Sequence, residues 1–342
     1  MKYPFRLSLL FTLIAVSFLS CKKSTTPSPI PSDTFIKGAD VSWITEMEAS
    51  GKKFYNVQGA ETEGFKLMKD IGFNAIRLRV WVNPADGWCS KEDLLAKAIR
   101  AHRQGLRIMV DFHYSDWWAD PAKQNKPAAW QKLSFDQLRQ AVANHTTEVL
   151  TLLKNNGITV EWVQVGNETN TGMLWPEGQV VNNDFSRYAQ LNNSGYDAAK
   201  KVYPKSLVVV QHGSGADKNA CSWFFGGLKA AGGRWDVTGL SVYPSWANLS
   251  WQECNKLALE NMNALVEIAG KPILVCEAGY PYDKPEEGYS FLLDLIAKTK
   301  LVKASKGIGV MYWEPQCYTW KDYSLGAFDA TGKPSKALVA FK

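Results

Sequence analysis

Eight short runs of β-branched and apolar residues punctuate this chain, at residues 36–41, 75–81, 107–113, 162–166, 207–211, 237–243, 273–276 and 309–313. Helix-like segments lie between them, such as 91–104, 135–155, 184–202, 249–269 and 287–300. Runs that look buried throughout suit a parallel sheet covered by helices. Eight strand-then-helix units favour closure into a barrel over an open doubly wound sheet. No GxGxxG follows the first run, which counts against a dinucleotide-binding sheet. The predicted fold class is α/β, a single (β/α)8 TIM barrel over residues 35–342, with no second domain.

The first residues read as an address rather than as fold. Lys2 and Arg6 precede an apolar run from Leu7 to Leu19, too short to prefer spanning a bilayer. Residues 1–20 are expected to be a signal peptide, and Cys21, directly after Leu19-Ser20, sits as in a bacterial lipobox. Residues 21–34 are rich in Ser, Thr and Pro without apolar periodicity, as a tether is. The expected product carries lipid on Cys21 and hangs from the outer membrane, at the cell surface. The alternative is a plain signal peptide or signal anchor with an incidental cysteine.

Apolar residues make up 46% of the chain, enough for a full core. The net charge of +6 comes partly from the signal region and Lys22 and Lys23, and the body shows no long basic run. Nucleic-acid binding is not expected, and the chain is expected to act as a monomer. Without Cys21 five cysteines remain, so not all can pair within the chain, although one or two disulfides suit an exported protein. Cys276 reads as a small buried hydrophobe.

In such a barrel, reactive groups stand where strands end. Here the ends carry Asp40 and Trp43; Arg77, Arg79 and Trp81; Asp111, His113 and Tyr114; Asn167 and Glu168; Gln211 and His212; Tyr243 and Trp246; Glu277; and Trp313 and Glu314. A barrel used only as scaffold does not need so many polar groups on one rim, because each costs free energy unless paired. Glu168 and Glu277 are each the first charge after an apolar strand, the fourth and the seventh. Glycoside hydrolysis needs such a pair, one to protonate the leaving oxygen and one to attack or to activate water. Either glutamate alone could equally cap a helix or pair with an arginine. The long aromatic loop after the third run, residues 115–132, belongs on the same rim.

Several strings carry a resemblance. They are Gly38-Ala39-Asp40-Val41-Ser42, Arg77-Leu78-Arg79-Val80-Trp81, the run from Asp111 through His113, Trp117 and Trp118 to Pro121, Gln164-Val165-Gly166-Asn167-Glu168, Glu277-Ala278-Gly279-Tyr280-Pro281, and Tyr312-Trp313-Glu314-Pro315. Together and in order, over essentially all of 35–342, the chain resembles the endo-β-1,4-galactanases of glycoside hydrolase family 53. The resemblance implies a retaining hydrolase of β-1,4-galactan and arabinogalactan. It implies Glu168 as general acid then base, and Glu277 as nucleophile, roughly 5–5.5 Å apart. Asn167 would bond the sugar 2-hydroxyl, Arg79 would hold Glu277 ionised, and Tyr243 would bond Glu277. Asp111, His113 and His212 would line the site. Trp313 would floor the reacting-sugar subsite, with Trp81, Trp117 and Trp118 as further platforms; Trp43, Trp88, Trp246 and Trp320 are also candidates.

The chain departs from bacterial members that carry a long calcium-binding insert after strand seven or eight. Asp283, Glu286, Glu287 and Asp322 are present, but no spacing resembles a calcium loop, so no cofactor or metal is expected. The competing readings are a mannanase or xylanase using the same two glutamates, a non-catalytic glycan-binding protein, and a metal-dependent hydrolase built on Asp111, His113 and His212.

Overall fold

The structure is a computed structural model that describes Met1 and residues 35–342. The expected signal peptide, Cys21 and the tether lie outside the described residues. Eight parallel strands close in sequence order into one barrel: β1 (Ile36–Asp40), β2 (Ala75–Val80), β3 (Arg107–Phe112), β4 (Trp162–Val165), β5 (Leu207–His212), β6 (Val237–Val242), β7 (Ile273–Ala278) and β8 (Gly307–Trp313). β1 meets β8, with Asp40 opposite Trp313 on one side and Arg77 on the other.

Around the barrel run α1 (Ile44–Ala49), α2 (Gly64–Ile71), α3 (Lys91–Arg103), α4 (Phe135–Asn155), α5 (Ser186–Val202), α6 (Lys218–Ala230), α7 (Pro244–Ala247), α8 (Trp251–Ala269) and α9 (Pro285–Lys300). Local chemistry sets several starts. Ser90, Ser134, Asp217 and Ser250 each accept a backbone N–H from the first turn of α3, α4, α6 and α8. Such a cap is worth about 1 kcal/mol. Ser250 as cap explains why α8 begins at Trp251 rather than at residue 249, and Pro285 opens α9, where its missing N–H costs nothing.

The core has two parts. The larger lies between the strands' outer faces and the helices, built from residues such as Val41, Leu78, Val110, Val163, Val210 and Tyr312. The smaller fills the lumen and draws from every strand: Ile36, Ala75, Met109, Trp162, Val209, Val237, Leu274, Cys276 and Met311. This lumen layer makes the barrel a packed core rather than a pore. The disulfides allowed by the sequence do not form among the described residues. Cys89, Cys221, Cys254, Cys276 and Cys317 are all free and buried, packed as small apolar groups.

Candidate active site

Above the apolar plug the lumen turns polar. Side chains alternate along a strand, so the strands that send Ala75, Met109, Trp162 and Val209 inward also send Arg77, Asp111, Gln164 and Gln211 inward, one step higher. Strand β7 breaks this rule. Leu240 pairs with Val275, but Ser241 pairs with Glu277, which leaves Cys276 as an extra residue. A bulge of this kind re-aims a side chain. Cys276 and Glu277 therefore both face the lumen.

Arg77 is the hub. Its Nη1 lies 2.7 Å from Asp40 Oδ2, and its Nη2 lies 2.9 Å from Asp111 Oδ2 and 3.0 Å from Glu277 Oε1. Nη2 also donates to Asn167 Oδ1 at 2.8 Å. Burial opposes the charge, but Asp111, Glu277 and Asp40 outweigh it and hold the guanidinium protonated. Glu277 takes two more donors, Gln211 Nε2 on Oε1 and the Tyr243 hydroxyl on Oε2, both at 3.0 Å. Charge pairing and donated hydrogen bonds both favour a carboxylate. Glu277 is thus aimed by three groups, Arg77, Gln211 and Tyr243.

The expectation that Arg79 pairs with Glu277 is corrected. Arg79 stands one inward position higher and pairs with Glu314 at 2.7 Å. Its guanidinium is packed among the rings of Trp118, Trp43 and Trp81, 4.3, 5.3 and 5.4 Å from their centroids.

Glu168 has a different setting. Gly166 (φ +81°) and Glu168 (φ +44°) both take the left-handed conformation as the chain leaves β4. A Cβ on Gly166 would also come within 2.5 Å of Thr169 Cγ2. The kink is clamped by Gln124, whose amide donates to the carbonyls of Asn167 and Glu168 at 2.8 and 3.4 Å. The Glu168 carboxyl accepts one hydrogen bond, from Ser241 Oγ at 2.6 Å. Burial first, and the nearby Glu277 charge second, push its pKa up to about 8. Gln211 Nε2 donates to both Ser241 Oγ and Glu277 Oε1, so a bridge of two side chains joins the carboxyls. Glu168 stays protonated near neutrality beside a carboxyl held by a cation and two donors, the contrast needed by a proton donor beside a nucleophile.

The remaining expected residues separate into groups. Asn167 lies beside Glu168, its Nδ2 bonded to the Ala119 carbonyl at 2.8 Å. Asp111 is fully buried between Arg77 and His113. His113 has both ring nitrogens engaged, Nε2 with Asp111 at 3.0 Å and Nδ1 with the Ala119 N–H at 3.1 Å. Both therefore brace the site from within it. Trp313 is partly buried and packs edge-on against Trp43 and Trp118. Trp117 is 48% exposed on the rim, while Trp81, expected as a platform, is only 2% exposed and stands behind Trp117, 4.9 Å between centroids.

His212 is a second correction. It shares the outward parity of Val208 and Val210, packs on Phe224 of α6, and its Nδ1 meets the Ser214 N–H and the Cys221 thiol. Burial lowers its pKa to about 4. It faces the helix layer, so it cannot share a ligand with Asp111 and His113. Among the described residues no group of three or more His, Cys, Asp or Glu could hold a metal ion. The Glu287 carboxylate takes the Tyr280 hydroxyl at 2.7 Å, which leaves it poorly placed as a calcium ligand. The sequence reading did not single out Ser241 or Gln124, and it placed Arg77 on the rim without a role. Strand parity with Val237 and Gly239 was the available signal for Ser241; Gln124 gave none.

Residues 36–341 match glycosyl hydrolase family 53. An arabinogalactan endo-beta-1,4-galactanase of Cellvibrio japonicus is 34% identical, over 90% of this chain and 89% of that protein. The catalytic domain of a family 53 enzyme from Ignisphaera aggregans superposes with a TM-score of 0.82 at 29% identity, covering 92% of this chain and 98% of that one. A fungal beta-1,4-galactanase structure matches equally well, at 0.82 and 29%, over 89% and 98%. With a closed eight-stranded barrel and a family match that runs across all of it, the chain belongs to glycosyl hydrolase family 53.

Proposed function

We propose that this protein is a retaining, endo-acting β-1,4-galactanase, with Glu168 as acid/base and Glu277 as nucleophile. The observation that carries the roles is the contrast between the two carboxyls. Glu277 is held by Arg77, Gln211 and Tyr243, whereas Glu168 is buried with one donor and a pKa near 8. In the first step Glu277 attacks the anomeric carbon while Glu168 gives its proton to the departing glycosidic oxygen. A galactosyl ester on Glu277 results. Esterification removes the negative charge that helps raise the Glu168 pKa, so Glu168 becomes a stronger acid and remains ionised. It then takes a proton from water, whose oxygen attacks the anomeric carbon and releases Glu277.

The substrate assignment leans on the galactanases to which the chain is similar. Interior cleavage is supported by the rim, where exposed indoles stand at well-separated places. Trp117 lies on the β3 side, and Trp246, 62% exposed, packs at a tilt on Tyr243, 4.0 Å between ring centroids, beyond β6. Aromatic faces at both suit a polymer that crosses the cleft. The proposal includes export and lipid attachment at Cys21, with residues 21–34 as tether. No helix among the described residues is long and apolar enough to cross a membrane.

The test is reducing-end release from unbranched β-1,4-galactan, run beside β-mannan, xylan and cellulose, with Glu168→Ala as control. Release from galactan alone, lost in the variant, is expected. Release from another glycan would discard the substrate and keep the two glutamates. Silence on all four would favour a glycan-binding protein.

A further inference from the structure

The end of the barrel opposite the site carries an unusual surface. Strands begin there and helices finish there. Lys201, Lys205, Lys229, Lys271, Lys300 and Lys306 all lie on it, and none has a carboxylate partner among the described residues. The carboxylates Glu161, Asp197, Asp236 and Glu267 on the same face are each taken by a cation, Arg107, Arg234, Lys200 and Lys303. Basic residues in the last turn of a helix answer the helix dipole, which accounts for Lys201, Lys229 and Lys300. It does not account for Lys205, Lys271 and Lys306, which sit in connections beyond the ends of α5, α8 and α9. The first turns at the other end instead carry Glu92, Asp93, Asp136, Glu253 and Glu286.

Two further observations point to what meets this face. Leu301 is 71% exposed between Lys300 and Lys303, and Leu207 is exposed beside Lys205. Apolar side chains interleaved with lysines suit the boundary between lipid headgroups and acyl chains. The N-terminal residues also join the barrel here, at Phe35 and Ile36, where Lys37 Nζ bonds the Lys342 carbonyl at 2.8 Å. Lipid on Cys21, as proposed above, would hold this face near a membrane, where even weak attraction acts at high effective concentration.

We propose that this basic face docks on an anionic lipid surface and points the active site away from the membrane. The orientation rests on the anchored reading above; the surface itself does not.

The test pellets the full chain with vesicles of phosphatidylcholine, with or without phosphatidylglycerol, at low and high salt. Wild type is expected to prefer the anionic vesicles and to lose that preference at high salt. Each cation near an anionic surface is worth about fivefold in partition. The set Lys201→Gln, Lys205→Gln, Lys271→Gln and Lys306→Gln should weaken anionic binding by about tenfold or more. Its melting temperature and its galactan hydrolysis should be unchanged, the first of which reports folding whatever the substrate. The same change at Lys123, Lys132, Lys218 and Lys284, at the other end, should leave binding intact. Because every variant keeps the same N-terminus, signal and anchor contributions cancel. Equal binding to both vesicles, or equal loss from both sets, would overturn the proposal. Tighter binding to soluble polygalacturonate than to vesicles would overturn it too and reassign the face to an acidic polysaccharide. Failure of galactan hydrolysis or of the Cys21 anchor would leave this readout intact.

Discussion

The lower layer of the lumen, from Ile36, Met109 and Trp162 round to Met311, and the layer above it, from Arg77, Asp111, Gln164, Gln211 and Glu277, stand on the same strands. The lower one is apolar and close-packed, and each side chain there contributes through area removed from water. The upper one is held by charge and hydrogen bonds, and its members are worth keeping only as a set. Removing one partner from a buried network strands the others, whereas removing a methyl group from the lower layer leaves only a cavity. The barrel thus separates what stabilises it from what reacts, by about one residue pair of strand height.

That comparison can be broken in four ways. The largest effect should come from Glu277→Gln, which keeps shape and removes the nucleophilic charge. Turnover on galactan should fall by roughly 10⁴-fold or more, with the melting temperature little changed. A variant with near-normal turnover would remove Glu277 from the nucleophile role. Next is Arg77→Met, which leaves Asp40, Asp111 and Glu277 without their shared cation. Unfolding in urea should show a loss of about 3–5 kcal/mol, and a loss below 1 kcal/mol would show that Arg77 is not the hub.

In the lower layer, Met109→Ala should cost about 2–5 kcal/mol while kcat at moderate temperature stays near normal. A large fall in kcat would mean that the two layers are mechanically coupled. The smallest effect concerns Glu168, whose folded pKa of about 8 lies above its unfolded value. Between those values the folded state holds more protons than the unfolded state, so stability falls as pH rises through that window. Glu168→Gln removes the penalty. It should lie close to wild type at pH 5 and be the more stable of the two at pH 8. The same titration predicts that wild-type activity declines above about pH 8, as the acid form of Glu168 is lost. A variant less stable than wild type at pH 8 would place the raised pKa in doubt.

Much of this was legible beforehand. The eight runs matched eight strands to within about two residues at their ends, because an apolar run flanked by helices has few other ways to hide both faces. Glu168 and Glu277 were visible because a charge directly after such a run must sit at the mouth of the barrel. His212 was misread because its place at the end of β5 was weighed and its parity was not; Gln211 and His212 are neighbours that face opposite ways. Arg77 and Arg79 both face inward, so parity alone could not choose between them.

The sequence by itself determined the barrel, the rim on which chemistry occurs and the two carboxyls, because these follow from local periodicity and from where charge interrupts it. Only the tertiary structure decided which arginine meets Glu277, since that depends on the relative heights of strands β2 and β7 across the lumen. It also decided that Glu277 points inward at all, because the extra residue at Cys276 is defined by pairing with Ser241 on β6, and pairing register is not written in either strand alone. The raised pKa of Glu168 has the same origin. Its burial and its proximity to Glu277 are distances between strands that the chain brings together only by closing.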